Sequence, residues 1–277
     1  QLPPYTPNKG EEIIRKIQNI PLDPPPVLPN FDSVYSGGGF TPGVVFRRMY
    51  GDHSAFAIRG LYSLKQYKLI EAATLSPGHA GGRVDLAARV GWRDATEVGF
   101  YGLGIESVES ARANYRFKQT YVEGGATFRP ERWSIFEGRV AYEDYNLEPG
   151  KGSAPSIETV YTPLTAPGLG ESPTFVHTTT RAGIDTRFAP AYTRTGGYYG
   201  VELHNYLDTG DTFTFNRLDA HAIHHIPILK ENWVIALRGR FQTTLGGDDV
   251  VVPYFLLPSL GGGSTLGGSS GWGFRRR

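Results

Sequence analysis

Apolar and polar side chains alternate with a period of two through most of the sequence after residue 36. Near the end of the chain, Trp233, Leu237 and Phe241 occupy one parity of positions, whereas Arg238 and Arg240 occupy the other. Successive side chains of a β-strand point to opposite faces, so this alternation predicts strands with one apolar and one strongly polar face.

The alternating segments predict eleven strands, most of them longer than the ~5–6 residues usual in soluble sheets. Their connections alternate in length: 51–53 and 129–132 are tight, whereas 147–173 is a long loop rich in Pro, Gly and Ser. Short turns at one rim and long loops at the other are typical of outer-membrane barrels. The predicted spans are 40–50, 54–65, 67–76, 82–93, 96–105, 112–129, 132–146, 174–188, 197–208, 213–228 and 232–245.

The predicted fold class is therefore all-β, a transmembrane antiparallel up-and-down β-barrel. A soluble sandwich shares the alternation, but the strand lengths and the sidedness of the loops favour the barrel. Aromatic residues near predicted strand ends fit the interfacial girdles of such barrels; they are Trp92, Trp133, Tyr198, Tyr199 and Trp233. The polar positions predicted to face the lumen are Arg83, Arg89, Glu137, Arg139, Arg238 and Arg240.

Residues 1–36 differ from the rest because they are rich in proline. Within them Ile13, Ile14, Ile17 and Ile20 recur at helical spacing, which predicts a short amphipathic helix in an otherwise extended lead. A helix this short is marginal alone, so we expect it to pack on something larger.

Composition narrows the class of protein. The formal charge is +1, which gives no reason to expect nucleic acid as a partner. Cysteine is absent, which excludes thiolate chemistry and suits an oxidising compartment. No run of 18 apolar residues predicts a transmembrane helix, and the mean hydropathy of −0.31 is compatible with strands that turn only alternate residues to lipid.

Candidate chemistry is sparse. His221, His224 and His225 are the densest histidine cluster, but on a strand His221 and His225 would lie about 13 Å apart at ~3.3 Å per residue, too far for one metal ion. Glu137, Arg139 and Glu143 could form an acid/base group, but they are more simply explained as lumen residues that form ion pairs. No nucleophile elbow, phosphate loop or zinc-binding helix motif occurs. We therefore expect no enzymatic activity, no cofactor and no metal.

Two stretches resemble the BamA/TamA-type barrels, the bacterial surface antigen family. Residues 183–203 are similar to that family's Asp-x-Arg and Gly-Tyr-Tyr segment, here Asp185, Arg187, Gly197, Tyr198 and Tyr199. Residues 251–266 resemble the approach to its long inward-folding loop, with Gly261, Gly262 and Gly263 at the centre. The start of the barrel, 37–46, is compatible but less specific.

The resemblance implies a barrel of sixteen strands, one of the even counts of bacterial barrels, with this loop after the eleventh. It divides the chain into a periplasmic lead at 1–36 and a partial barrel at 37–277, in which 251–277 begin the loop. Two features depart from the family. Leu266 matches the apolar residue before the family's Arg-Gly-aromatic motif, and Gly267, Gly268 and Ser269 stand at the motif positions, so the arginine and the aromatic residue are missing. We also expect neither strands twelve to sixteen nor periplasmic POTRA modules within these 277 residues.

By resemblance, the expected function is insertion or translocation of other proteins at the outer membrane, with the N-terminus periplasmic. The lipid bilayer is then the first partner, and other outer-membrane or periplasmic proteins are further ones. A structural or accessory barrel subunit completed by a partner chain is a second hypothesis, because an odd strand count leaves an edge open. A passive pore that favours anions is a third, because arginines dominate the predicted lumen.

Overall fold

The computed structural model describes residues 25–104, 107–188, 193–228, 233–246, 250–260 and 274–275. Eleven strands form one sheet in which each strand pairs antiparallel with the next along the chain. In the described residues β1 and β11 do not pair with each other, so the sheet is open between them. The strands are β1 Val27–Phe31, β2 Pro42–Tyr50, β3 Ser54–Tyr62, β4 Lys68–Gly78, β5 Val84–Phe100, β6 Ala113–Phe128, β7 Ser134–Pro149, β8 Thr174–Asp185, β9 Gly196–Asp208, β10 Phe215–Ile228 and β11 Trp233–Leu245.

Helix is nearly absent from the described residues. A helical turn at His79–Gly82 joins β4 to β5, a 3-10 turn spans Glu109–Ala111, and a four-residue helix α1, Ile157–Val160, lies in the loop after β7. None of the helices in the described part of the chain has the length and apolar character to cross a membrane. A separate pair of two-residue strands joins β12 Ser259–Leu260 to β13 Phe274–Arg275. The all-β, up-and-down antiparallel prediction is confirmed.

The predicted strand count agrees with the structure, but two errors cancel in it. The segment Val27–Phe31 is a strand of the sheet, although it lies in the proline-rich lead and was not predicted. The predicted strands 82–93 and 96–105 are one strand, β5. A register shift between Ala95 and Val98 breaks the period of two there, which is why the sequence suggested a boundary.

The sheet has two distinct rims. At one rim, here called the long-loop rim, lie the connections 32–41, 63–67, 150–173 and 209–214, the residues 101–104 and 107–112 between β5 and β6, and the residues 250–258 that follow β11. At the other, the short-turn rim, lie the connections 51–53, 79–83 and 129–133, the residues 186–188 and 193–195 between β8 and β9, and the end of β10 with the start of β11. The chain also enters β1 at the short-turn rim. This sidedness is as predicted and is typical of outer-membrane barrels.

One face of the sheet, the outer face, is a continuous apolar surface. On β5 it runs from Val84 to Trp92, about 27 Å along the strand at ~3.4 Å per residue. Tilted by ~40°, that length gives a band about 20 Å tall, close to the ~25 Å band of membrane barrels. Outward residues of this band are 43–61% exposed; they include Val44, Ile58, Ile70, Val90, Val122, Val140, Val201, Leu203, Leu237 and Phe241.

Ion pairs mark the end of the apolar band toward the long-loop rim. Arg116 on β6 binds Asp94 at 2.7 Å and Glu148 at 2.9 Å, and all three lie on the outer face beyond Trp92. Lys118 also contacts Glu148. Charges of this kind belong in water or head groups rather than hydrocarbon, so the strands extend past the band on this side only.

The other face, the inner face, carries the core. Near the long-loop rim its aromatic residues pack against the loops, so that Tyr254 contacts Phe100 and Tyr115 edge-on and Phe255 contacts Phe117. Segment 252–257 is buried there almost throughout. The largest fully buried side chains of the described residues belong to this cluster; they include Tyr67, Phe100, Tyr115, Phe175, Phe215 and Tyr254.

Candidate functional site

Polar side chains form a continuous network across β7, β8 and β9 on the inner face. Arg181 bridges Glu137 of β7 at 3.2 Å and Glu202 of β9 at 2.6 Å. Arg139 adds a contact to Glu137 at 2.8 Å. We call this set the inner polar network; with the histidine pair described next, it comprises Glu137, Arg139, Glu143, His177, Arg181, Glu202 and His204.

Two histidines join the carboxylates of this network. His177 Nε2 lies 3.0 Å from His204 Nδ1, and the two rings flank Thr179. Glu143 is 3.4 Å from His177, and Glu202 is 3.5 Å from His204. The pair was not predicted, because the two residues are 27 positions apart and only the register of β8 with β9 brings them together.

Further ion pairs lie on both sides of the network. Arg89 of β5 forms a two-pronged pair with Glu123 of β6, at 2.9 Å and 2.8 Å. Arg240 of β11 binds Asp219 of β10 in the same manner, with one contact of 3.1 Å. The inner face is therefore highly charged, yet many of its charges are matched within the sheet.

The structure places most of the predicted lumen residues on the inner face. Arg89, Glu137, Arg139 and Arg240 lie there within ion pairs. Arg238 shares that face with Arg240, opposite Ile223. The prediction for Arg83 is wrong in position, because this residue caps the helical turn His79–Gly82 at the short-turn rim and lies outside β5.

The Asp-x-Arg and Gly-Tyr-Tyr residues meet at the short-turn rim. Arg187 donates from Nε and Nη2 to Asp185, at 2.9 Å and 2.8 Å, and these bonds raise the pKa of the Arg187 guanidinium. The same guanidinium lies 5.4 Å from the ring centroid of Tyr198. Gly197 closes the turn by exchanging hydrogen bonds with Thr186, at 2.8 Å and 3.0 Å. These residues therefore hold β8 and β9 together where the connection begins.

The two tyrosines of that motif point to opposite faces. Tyr198 stacks on His221 of the inner face at 4.9 Å, so its assignment to an interfacial girdle is wrong. Tyr199 lies on the outer face, and its hydroxyl is 2.7 Å from His224 Nδ1. Trp133 and Trp233 are exposed at the short-turn rim, as a girdle requires.

The candidate loop motif lies mostly beyond the described residues. Gly261, Gly262, Gly263, Leu266, Gly267 and Gly268 all fall there. The preceding part of the loop packs into the inner face, and Arg217 of β10 donates from Nη1 to the Leu256 carbonyl at 3.4 Å and from Nη2 to the Tyr206 hydroxyl at 3.0 Å. A wall arginine thus contacts the loop backbone.

A polar cavity of about 330 Å³ lies beneath this segment. Arg93, Arg217 and Glu143 line it together with Phe255 and Pro258. Within the described chain no group of three or more His, Asp or Glu side chains is arranged to hold a metal ion. The cavity and the inner polar network form the candidate functional surface, and its chemistry is charge pairing.

No family model matches this sequence, and no curated protein sequence matches it. In fold, the chain is similar to a crystal structure of BamA from Haemophilus ducreyi lacking POTRA domains 1-3. The TM-score is 0.62 and the sequence identity 16%, over 88% of this chain. The match spans 45% of the length of that protein. The fold of the described sheet is therefore that of a BamA-like β-barrel.

Proposed function

We propose that this chain is the membrane-embedded barrel part of an outer-membrane protein that inserts or translocates other proteins. The observation that carries the proposal is the contrast between the faces of a BamA-like sheet. The outer face is an apolar band about 20 Å tall, and the inner face is a network of ion pairs. The bilayer is then the first partner. The chain enters β1 at the short-turn rim, which supports a periplasmic N-terminus.

The proposed mechanism uses backbone pairing rather than covalent chemistry. In the described residues β11 is an edge strand of 13 residues, paired with β10 alone. An edge strand presents unpaired N–H and C=O groups, which are costly in lipid and which an incoming strand can satisfy. The edge of the sheet would therefore act as a template for a client strand.

Reconstitution tests this proposal. The purified protein is placed in liposomes, an unfolded client barrel is added, and the heat-resistant folded fraction of the client is followed with time. We expect faster folding than in empty liposomes or in liposomes that hold an unrelated barrel. Equal rates in all three would overturn the insertion proposal.

A subunit completed by a partner chain is the second candidate. The open edge of the sheet favours it, because β11 pairs with β10 alone among the described strands and leaves its other side without a partner strand there. A stoichiometric second polypeptide that co-purifies and raises the particle mass well above 30.4 kDa would support this role. A particle that contains this polypeptide alone would count against it.

A passive anion-favouring pore is the third candidate. The ion pairs of the inner face weaken the argument for it, which was the number of arginines in the predicted lumen. Arg89, Arg181 and Arg240 each contact a carboxylate, so the inner face attracts anions less than its arginine count suggests. Planar-bilayer conductance tests this role directly. Steady, client-independent conductance with anion preference would favour it over the other two.

A further inference from the structure

Three arginines from strands far apart in the sheet line the polar cavity of about 330 Å³ beneath the segment 252–257. Arg93 belongs to β5, whereas Arg217 and Arg240 belong to β10 and β11, at least five strands away in the sheet. Of the described carboxylates, only that of Glu143 shares the lining with them. The cavity therefore brings together positive charges that the order of the strands would keep apart.

Two of these arginines have no ion-pair partner in the described part of the chain. Arg240 forms its two-pronged pair with Asp219. The contacts of Arg93 and Arg217 within the described residues are instead with uncharged groups. A charge that is removed from water and left without an opposite charge is costly. The lining thus carries positive charge that the sheet does not match.

The carboxylate of Glu143 does not match it, because other groups already contact both of its oxygens. The Tyr145 hydroxyl donates to Glu143 Oε2 at 2.8 Å. His177 Nδ1 lies 3.4 Å from Glu143 Oε1. Glu143 therefore belongs to the inner polar network, and it forms no ion pair with an arginine of the cavity.

Both unmatched arginines retain N–H groups that can donate to a ligand. Arg93 donates from Nε to Gln119 Oε1 at 2.7 Å, and its terminal nitrogens make no hydrogen bond to the described residues. Arg217 uses its terminal nitrogens on the Leu256 carbonyl and the Tyr206 hydroxyl, whereas its Nε is buried and has no acceptor in the described structure. Buried donors without an acceptor are rare in native proteins, so these N–H groups fit a ligand with several acceptor oxygens.

Aromatic rings hold both guanidinium groups in position. The Arg93 guanidinium lies 5.3 Å from the ring centroid of Phe117 and 5.8 Å from that of Tyr35. The Arg217 guanidinium lies 5.3 Å from the ring centroid of Tyr206. Side chains held in this way lose little freedom when a ligand binds, which favours affinity.

The two guanidinium groups together select the class of ligand. A carboxylate has two oxygens and satisfies one guanidinium by a two-pronged contact, whereas a phosphate group has at least three acceptor oxygens and can contact two guanidinium groups at once. The cavity lies on the inner face, and the sheet separates it from the outer apolar band. A ligand would therefore reach it from water.

We infer that this cavity binds a soluble phosphate, either inorganic phosphate or a phosphate monoester, between Arg93 and Arg217. The bound phosphate joins β5 to β10 across the inner face and lies beside residues 255–258. Arg240 contributes less, because Asp219 already matches its charge. This inference concerns the cavity alone and does not depend on the insertion activity.

Titration of the purified, folded protein with inorganic phosphate tests the inference. Isothermal titration calorimetry is carried out in detergent micelles at constant ionic strength, with acetate and chloride as the comparison anions. We expect saturable binding of phosphate, and binding of acetate and chloride at least tenfold weaker, because these anions offer fewer acceptor atoms. The absence of saturable phosphate binding, or equal affinity for acetate, would overturn the inference.

Substitution of Arg93 locates the site. Arg93→Met removes one guanidinium and leaves the contacts of Arg217 with the segment 252–257 in place, so the affinity for phosphate should fall at least tenfold. Arg47→Met is the matched control, because it removes the same charge from the inner face of β2, outside this cavity. It should change the affinity by less than about twofold. Equal losses in the two variants would show attraction by the whole inner face and would overturn the local site.

A second substitution covers the case in which Arg93→Met does not fold, as judged by heat-resistant electrophoretic mobility. Arg93→Lys keeps the charge but loses the planar fork of the guanidinium. It should also bind phosphate several times more weakly than Arg47→Met does. Affinities equal to that of the control would overturn the role of Arg93.

Phosphate groups also occur on lipids, and a competition experiment distinguishes the two sources. Phosphatidylglycerol is added to the micelles at increasing mole fraction, and the phosphate titration is repeated. The affinity for phosphate should not change, because the cavity faces away from the outer band. Competition by the lipid would place a head group in the cavity and would overturn the assignment of a soluble ligand.

Discussion

The ring of Tyr121 lies directly against Gly91 on the facing strand of the inner face. A Cβ added to Gly91 would lie 2.5 Å from the Tyr121 hydroxyl oxygen and 3.1 Å from a ring carbon. The ring cannot simply swing away, because its hydroxyl bonds to Glu71 and its face lies 5.4 Å from the Arg89 guanidinium. Gly91 is therefore required by packing, and β5 and β6 are joined through this contact.

We expect Gly91→Ala to lower the free energy of unfolding by about 1–3 kcal/mol, the usual cost of overpacking. Gly124→Ala on β6 is the matched control, because a Cβ there meets no atom within 4 Å. That control should leave stability unchanged or slightly higher. Urea unfolding in detergent or lipid, followed by tryptophan fluorescence, measures both. Equal effects of the two substitutions would contradict the packing argument.

The faces of the strands were predictable from sequence, and the partners across strands were not. Alternation put Leu237 and Phe241 on one face of a strand and Arg238 and Arg240 on the other, and β11 has that arrangement, because side-chain direction depends only on local parity. Which inward residues meet is determined by strand register. The contact between His177 and His204, for example, depends on how β8 and β9 align.

The two errors in the strands also have physical causes. Val27–Phe31 contains Pro29 and follows Pro26, so it does not look like a strand. As an edge strand, β1 tolerates proline because one side of it need not donate to a neighbour. In β5, the irregularity between Ala95 and Val98 shifts the parity within a single strand. Both features depend on how neighbouring strands pair, which the local sequence pattern does not show.

Arg217→Met should loosen the segment 252–257, which packs on the inner face near the long-loop rim. It removes the donors to the Leu256 carbonyl and the Tyr206 hydroxyl, while Tyr254 and Phe255 keep their aromatic contacts. Hydrogen bonds from a charged donor contribute about 1.5 kcal/mol or more, so local opening should become about tenfold more frequent. Limited proteolysis between residues 246 and 258 measures that opening.

Arg48→Met is the control for this prediction, because Arg48 lies on the outer face of β2 and makes no contact with the segment. It removes the same charge and leaves the loop untouched. If both variants are cleaved at the wild-type rate, Arg217 does not hold the segment, and the aromatic contacts alone retain it.

An arginine introduced into the outer apolar band should be strongly destabilising in lipid. Val140 is 53% exposed and pairs with Gly124, opposite Ala88, at the middle of the band, so Val140→Arg should cost about 2–4 kcal/mol there. Asn146→Arg places the same side chain on the same face beyond the band, opposite Lys118 and two positions from Glu148, and should cost about 1 kcal/mol or less. Folding yield into liposomes distinguishes them. Similar yields would show that the outer face does not contact hydrocarbon.

The pair of Arg89 and Glu123 offers a test of charge matching on the inner face. Glu123→Arg sets two cations opposite each other across β5 and β6, and Arg89→Glu sets two carboxylates there, so each single variant should unfold more easily. The double swap restores opposite charges and should recover most of the loss. Because Arg89 is partly exposed, we expect a coupling energy of only about 0.5–1 kcal/mol.

Urea unfolding of the four forms gives this coupling, and its dependence on salt provides a second readout. A screened surface pair should weaken between low salt and 1 M salt, where the Debye length falls to ~3 Å. If the change in unfolding free energy of the double swap equals the sum of the changes in the two single variants, the coupling energy is zero and the close contact contributes nothing. The inner-face charges would then serve to keep the lumen polar rather than to join the strands.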